Sequence, residues 1–386
     1  MKMPKARSLV SLAALAACCA AQAQLPESVK LRGSVGVERD DNVLRSSTAP
    51  QSDTIGVLGA GITFDKEYSL QRIRVVADWA RYSHRNLDNL DYSTLNYLAA
   101  WNWSLTPRFR GVASAERQQY RDVTDIGTPG LNRVARHTDR TEKIEGIYEI
   151  DGAWRAMGAL RNQASESSEA VSYDAGPHVR SVLAGVGYDF GAERNIYARV
   201  RQGEGDYSNA NFSGGDFKER ELDFTSHWRL TGKTVADGRI GFFKREHDNQ
   251  PFRDFDGVAG EAAVTWDVTG KTSLRGGYQR QLTAYGLTTG GGHILTNRIY
   301  VQPVWRATEQ ISVNARWQHD DRNWKGVTGV DSGREDTADY AALGVDWMPT
   351  RILTLSTGLR HERRKSNLVG FNYRANIVGL ALKVSL

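Results

Sequence analysis

The chain has no long hydrophobic run outside its first residues. After residue 23 no stretch approaches the ~18 consecutive apolar residues that a membrane-spanning helix needs, so a helical membrane protein is excluded. Cysteine is almost absent: of 386 residues only Cys18 and Cys19 are cysteine, and both lie at the extreme N-terminus. If that segment is removed, disulfides, thiol catalysis and Cys-ligated metal are excluded with it. Proline and methionine are scarce as well, at 9 and 4. The eight histidines are scattered singly, with no His-x-x-x-His pair for zinc. No Gly-x-Ser-x-Gly elbow is present. The formal charge is +5, but the basic residues are spread along the chain without a patch, which argues against nucleic acid. The sequence implies no cofactor, no metal and no enzyme.

What is present is glycine and aromatic residue: Gly 38, Tyr 15 and Trp 10. That composition suits an all-β protein. The start reads as a secretory leader over residues 1–23. Lys2, Lys5 and Arg7 form a basic region, Leu9 to Ala17 an apolar one, and Ala21-Gln22-Ala23 a cleavage site, leaving 24–386 as the mature domain. Leu15-Ala16-Ala17-Cys18 is a competing lipobox reading, disfavoured because the A-x-A site sits at a normal distance past the apolar region. Either reading predicts Sec-dependent export from the cytoplasm and the envelope of a Gram-negative cell.

The stretch from Thr94 to Leu105 alternates. Leu95, Tyr97, Ala99, Trp101, Trp103 and Leu105 share one face, while Thr94, Asn96, Leu98, Ala100, Asn102 and Ser104 share the other, where Leu98 is the one poor fit. This is the period of a β-strand. At about ten residues or more it is long enough to cross a bilayer at a tilt. The strand ends on Trp103 followed by Thr106, and the device returns: Trp228 with Thr231, Trp266 with Thr269, Trp305 with Thr308, Trp347 with Thr350. The period of roughly forty residues is shared by propeller blades, but each unit here holds two long strands rather than four short ones. Polar stretches, expected as loops, fall between the turns at 39–52, 83–89, 122–138, 165–177, 203–216, 247–255, 286–292, 320–336 and 364–370. About eight turns and nine loops predict a transmembrane antiparallel up-and-down β-barrel of roughly eighteen strands (16–18), both termini periplasmic.

Two solvents account for the two faces. The outer face meets lipid, so the sheet must close to pair every backbone group. Trp103, Trp228, Trp266, Trp305 and Trp347 are expected as a structural aromatic girdle at the membrane interface. The polar face points Arg72, Arg74, Arg199, Arg201, Arg229, Arg275, Arg298, Arg316, Tyr197 and Tyr300 toward the lumen. Arg110, Arg155, Arg161 and Arg360 join them, interleaved with carboxylates such as Glu221, Asp223, Glu261 and Glu362. One reading is a salt-bridged interior. The other is a basic, hydrated channel whose guanidinium groups attract anions and whose rings stack on sugars. His319, Asp320 and Asp321 read as a charged loop sooner than as a rim catalytic set. Asp40, Asp41 and Asn42, like Asp254 and Asp256, offer oxygen ligands for Ca²⁺, but a polar turn is the default.

The first strand runs into "VERDDNVLR" (Val37 to Arg45), followed by "DYSTLNYLAAWNWSLTPRFRG" (Asp91 to Gly111) and the repeated Trp-x-x-Thr hairpins. In these features the mature chain resembles the EpsL-type outer-membrane proteins of bacterial exopolysaccharide loci. It departs from their opening motif at Arg39, where an aromatic residue is usual. It also ends on Leu386, where barrels of this class favour a terminal aromatic. The resemblance implies export of polysaccharide through the lumen, with outer-membrane lipid, the polysaccharide and periplasmic export components as partners. It carries over no catalytic residues. The alternative is a general or sugar-selective diffusion porin, and a third class is a scaffold or adhesion barrel acting through its loops.

Overall fold

The computed structural model describes residues 26–122, 135–168, 176–207, 215–284, 292–327 and 329–386. The segment expected as a leader, with Cys18 and Cys19, lies outside them, as do most of the glycine-rich run ending at Gly292 and the middle of three polar stretches.

Eighteen strands follow one another without a crossover. They are β1 (Val29–Asp40), β2 (Asp53–Tyr68), β3 (Gln71–His84), β4 (Tyr92–Thr106), β5 (Phe109–Asp122), β6 (Ala135–Glu149), β7 (Trp154–Ser167), β8 (Pro177–Asp189) and β9 (Arg194–Tyr207). Then come β10 (Phe217–Thr231), β11 (Thr234–His247), β12 (Phe255–Asp267), β13 (Thr272–Ala284), β14 (His293–Arg306), β15 (Ile311–Lys325), β16 (Glu335–Trp347), β17 (Leu353–Ser366) and β18 (Tyr373–Ser385). Each pairs antiparallel with its sequence neighbours, and β1 also pairs with β18 from Arg32 opposite Ser385 to Asp40 opposite Ile377. The sheet therefore closes and has no edge, the condition for a sheet in hydrocarbon. Eight short turns lie at one end of the barrel and nine longer connections at the other.

The strands are longer than expected at the long-loop end. The polar stretches at 122–138, 165–177, 203–216 and 320–336 are partly strand: β6 begins at Ala135, β7 continues to Ser167, β9 to Tyr207 and β15 to Lys325. Beyond the lipid both faces of the wall meet water. The apolar alternation disappears there, but the backbone still gains by pairing.

Alternation sorts the residues cleanly. Val37, Leu58, Ile62, Leu160, Val182, Val200, Leu359 and Leu380 all point to the outer face, each 38–58% exposed. Monomeric soluble proteins rarely expose so continuous an apolar belt; facing lipid, the belt is solvated by its own kind.

The acidic motif after β1 forms a clasp over the closing seam. The Asp41 amide donates to the Asn376 carbonyl (3.1 Å), and Asn376 returns its own amide and side-chain N–H to the Asp41 carboxylate (2.7 and 2.6 Å). Buried Asn42 donates to the Arg374 carbonyl at 2.9 Å. Arg45, in a left-handed backbone conformation (φ 51°), binds Asp40 at 2.7 Å and Glu362 at 2.9 Å. Such a conformation persists only where surrounding contacts hold it. These contacts draw the 41–52 connection inward over the lumen, where Val43 is wholly buried and its carbonyl accepts from Arg121 of β5. Burial alone would lower the Arg45 guanidinium, but Glu362 and Asp40 reverse this and raise it.

Candidate functional site

The lumen wall is built by the residues that alternate with the apolar belt. On β9 to β11 the register sets Arg199 opposite Asp223 and Arg201 opposite Glu221, with Asp223 opposite Gly241. A ladder of ion pairs results. Arg199 Nε donates to Asp223 at 2.7 Å, and Arg201 donates to both Glu219 and Glu221 at 2.8 Å. Arg239 binds Glu221, and Arg245 binds Glu219 while lying 4.1 Å from the Phe217 ring centroid. The acids of this ladder are almost fully buried. A buried carboxylate without a partner would be strongly unfavourable, so each is held by at least one guanidinium.

The other expected lumen residues share that face with different partners. Arg72 makes a two-pronged contact with Asp65 at 2.8 Å for each bond. Arg298 does the same with Asp320 at 2.8 and 2.9 Å. Arg229 Nε reaches Glu193 in the β8–β9 turn at 2.9 Å, at the water-exposed end. Arg275 lies near Thr265 (3.5 Å), and Arg316 donates to Gln318 (2.6 Å) beneath the Tyr340 ring. Arg74, Arg161, Arg275 and Arg316 have no acidic partner within salt-bridge reach among the described residues. The two tyrosines lie flat on the wall. Tyr197 covers Gly187 and Tyr300 covers Gly277, its cross-strand partners, where an added Cβ would fall within 2.2 and 2.7 Å of the ring or hydroxyl. Glycine is required there to let the ring approach the backbone.

Below the long-loop mouth a cavity of about 600 Å³ lies along the lumen wall. Gln118 of β5, Thr141 of β6 and Gln163 of β7 line it together with Arg201, Arg239, Glu261 and Gln279 of β9 to β13. Arg161 of β7 stands within electrostatic reach of Arg201 and Arg239 and also of Glu221 and Glu219. The wall is thus amphoteric: a ladder of ion pairs on β9 to β11, amides and hydroxyls beside Glu116 and Asp139 on β5 to β7, and a few guanidiniums that form no ion pair among the described residues.

Several residues were not foreseen. Arg245 and the Arg334 cluster carry no sequence signal. Arg334 is 1% exposed, sandwiched between the Trp324 and Phe371 rings and bound to Asp331 and Asp336 at 2.8 and 2.9 Å. His319 and Asp320 sit in β15, not in a loop. They face opposite ways, His319 outward to Asp339 at 2.7 Å and Asp320 inward to Arg298, so they cannot act on one substrate. Asp40 and Asn42 are occupied by the clasp, and Asp254 accepts from His247 at 2.7 Å.

Trp103, Trp228, Trp266, Trp305 and Trp347 ring the turn end on the outer face, three residues before each Thr that opens a turn. Between β4 and β10 further rings fill the gaps: Trp103 to Phe109 (5.1 Å), Phe109 to Tyr148 (6.4 Å), Trp154 to Tyr188 (5.0 Å) and Phe190 to Trp228 (5.3 Å).

A closed barrel with an apolar belt outside, an aromatic girdle at one end and a polar, ion-paired lumen is an outer-membrane, porin-like β-barrel. The chain belongs to the family "Putative beta-barrel porin 2", whose model matches residues 28–386. Curated proteins yield no match to it. Among solved structures, it is similar to the outer membrane protein OpdK of Pseudomonas aeruginosa, with 10% identity, a TM-score of 0.51, and coverage of 94% of this chain and 100% of that one. The OpdK structure with vanillate gives 9% identity and a TM-score of 0.52 at the same coverage. OccAB3 of Acinetobacter baumannii gives 9% and 0.51, covering 93% of this chain and 98% of the other. At these identities the likeness concerns the fold.

Proposed function

We propose that the protein is a passive diffusion channel for small hydrophilic solutes, with a preference for anions. The observation that carries this reading is the polar lumen cavity of about 600 Å³, a volume that suits a small molecule. The inward 41–52 connection adds a constriction at the mouth. Arg161, Arg275 and Arg316, which form no ion pair among the described residues, supply weak, successive attraction for a carboxylate, and weak multi-site contact is what passage requires. Vanillate, bound in the OpdK structure, is such a carboxylate.

In this reading the short turns and both termini face the periplasm, and the chain reaches the outer membrane after Sec-dependent export. Exopolysaccharide export, with periplasmic feeding components, rests on the sequence resemblance and would need the inward connection to swing away from the mouth. Reconstitution in planar bilayers and in swelling liposomes tests the proposal. Steady conductance with anions favoured, and swelling by small carboxylates, is the expected result. A closed pore with no swelling rejects it. A deletion strain that accumulates polysaccharide in the periplasm, while small-solute uptake is unchanged, establishes export instead.

A further inference from the structure

The outer wall is not convex everywhere. Between β3 and β10 it is pressed inward, leaving an open groove of about 1630 Å³ on the lipid side. The groove follows two neighbouring rows of the sheet. One row is apolar through six strands: Ile73, Trp101, Ala113, Ile144, Leu160 and Val182, each opposite the next. The second begins with Ala99 and Ala115, whose small side chains make the depression, and then becomes polar at Glu142, Asn162, Arg180 and Glu204. Rows run across the strands, and strands in such barrels tilt by roughly 35–45°. A groove along a row therefore climbs obliquely, here from the apolar belt to the charged zone near the long loops.

We infer that this groove is a binding site for one membrane lipid with a phosphate-bearing head group. Its chains lie over Ala99, Ala115 and Leu160, and its phosphate meets Arg180. Three observations argue for a lipid over a second barrel. Polarity along the groove changes once, from apolar to charged, in the order of a lipid from tail to head. Arg180 is exposed and opposite Glu204, with no acidic partner within salt-bridge reach among the described residues, and Asn162 on the neighbouring strand, one of whose side-chain hydrogens goes to Glu142 at 3.2 Å, has a second to donate. A second barrel seated here would press its apolar belt on Glu142, Arg180 and Glu204, taking from water three charged groups that form no ion pair among the described residues. A phosphate instead forms a charge-assisted bond with the guanidinium.

The test uses the whole barrel, refolded into vesicles of phosphatidylethanolamine and phosphatidylglycerol, extracted in mild detergent and washed repeatedly. Bound phosphorus and native mass are then read. The wild-type barrel retains phospholipid. Ala115→Trp, which fills the groove, and Arg180→Glu each reduce retention about tenfold. Leu359→Trp, on the convex opposite wall, does not. Barrel integrity is followed by gel mobility without heating, and Ala99→Leu replaces Ala115→Trp if the latter fails to fold. Retention unchanged in both groove variants overturns the site. So does a wild-type barrel that emerges lipid-free as a dimer which Ala115→Trp dissociates, since that makes a second copy the occupant.

Discussion

The two walls of the lumen are held together differently. On β9 to β11 the inner face is a ladder of arginines and carboxylates, most of them with little water contact. On β5 to β7 the surface that lines the same cavity carries Gln118, Thr141 and Gln163, neutral groups that need no partner beyond water, and its acids Glu116 and Asp139 form no ladder with arginine. The difference teaches that charge on a channel wall is not the same as charge available to a solute. Where the wall is densest in arginine, guanidinium is spent on carboxylate. The groups free to act on a permeant stand at the margins of the ladder, as Arg161 does.

The largest effect follows from breaking the ladder. Glu219→Gln leaves Arg201 and Arg245 short of a counter-charge at a site where the carboxylate is only 5% exposed. Removing one partner from a buried pair costs about 3–5 kcal/mol. The expected result is a clear fall in the urea midpoint of the folded gel band. Gln163→Ala on the facing wall should change stability by no more than about 0.5 kcal/mol. Equal losses at both sites would mean that the walls do not differ as described.

Selectivity sharpens the same contrast from the other side. Arg161→Gln removes a cation that forms no ion pair among the described residues, so the barrel should fold normally while its anion-to-cation permeability ratio, read from reversal potentials in a salt gradient, falls about two- to threefold. Arg298→Gln, which strips a partner from buried Asp320, should instead destabilise the barrel. A ratio that ignores Arg161 would place the selectivity elsewhere in the lumen.

The clasp at the seam adds a dependence on pH. Burial alone would raise the Asp41 carboxyl, but the Asn376 hydrogen bonds and the Arg45 and Arg374 charges outweigh it and hold Asp41 below the usual 3.8. A carboxyl lowered on folding binds protons more readily in the unfolded chain. Its contribution is therefore complete above the usual value and is lost as pH falls through the lower folded one. Proteolysis within residues 41–52 should accelerate below about pH 4, and Asn376→Ala should flatten that acceleration.

How much of this was legible in the sequence depended on which solvent each residue meets. Trp228, Trp266, Trp305 and Trp347, each three residues before a threonine, marked the turn ends, and strict alternation marked the lipid-facing strands. Both signals arise where one face meets hydrocarbon. At the long-loop end, where His137, Tyr207 and Asp320 are in strands, water lies on both sides and no periodicity survives. The arginines of the inner face could be placed on it by alternation. Their partners could not be named, because pairing depends on register across the 208–216 connection. A slip of two residues would set Arg201 opposite Glu219 instead of Glu221. Arg334 lies beyond any such rule, since Trp324 lies at the end of β15 and Phe371 sits in the connection between β17 and β18, and the packing of these neighbouring connections follows no periodicity.

The smallest expected effect completes the comparison, because it changes the solvent and keeps the bond. Arg229 binds Glu193 through Nε at 2.9 Å, nearly the geometry of Arg199 with Asp223 at 2.7 Å. The surroundings differ: the first pair is 41% and 59% exposed, the second 22% and 4%. Exposed pairs are screened by water and salt and contribute about 0–1 kcal/mol. Arg229→Ala should therefore leave the urea midpoint almost unmoved, whereas Asp223→Asn, which leaves Arg199 unpaired and Arg239 weakened, should lower it visibly. If Arg229→Ala is as costly as Asp223→Asn, then water at the turn end does not screen the pair. The neighbouring girdle rings of Trp228 and Phe190 would have to shield it, and the turn end would behave as part of the buried wall.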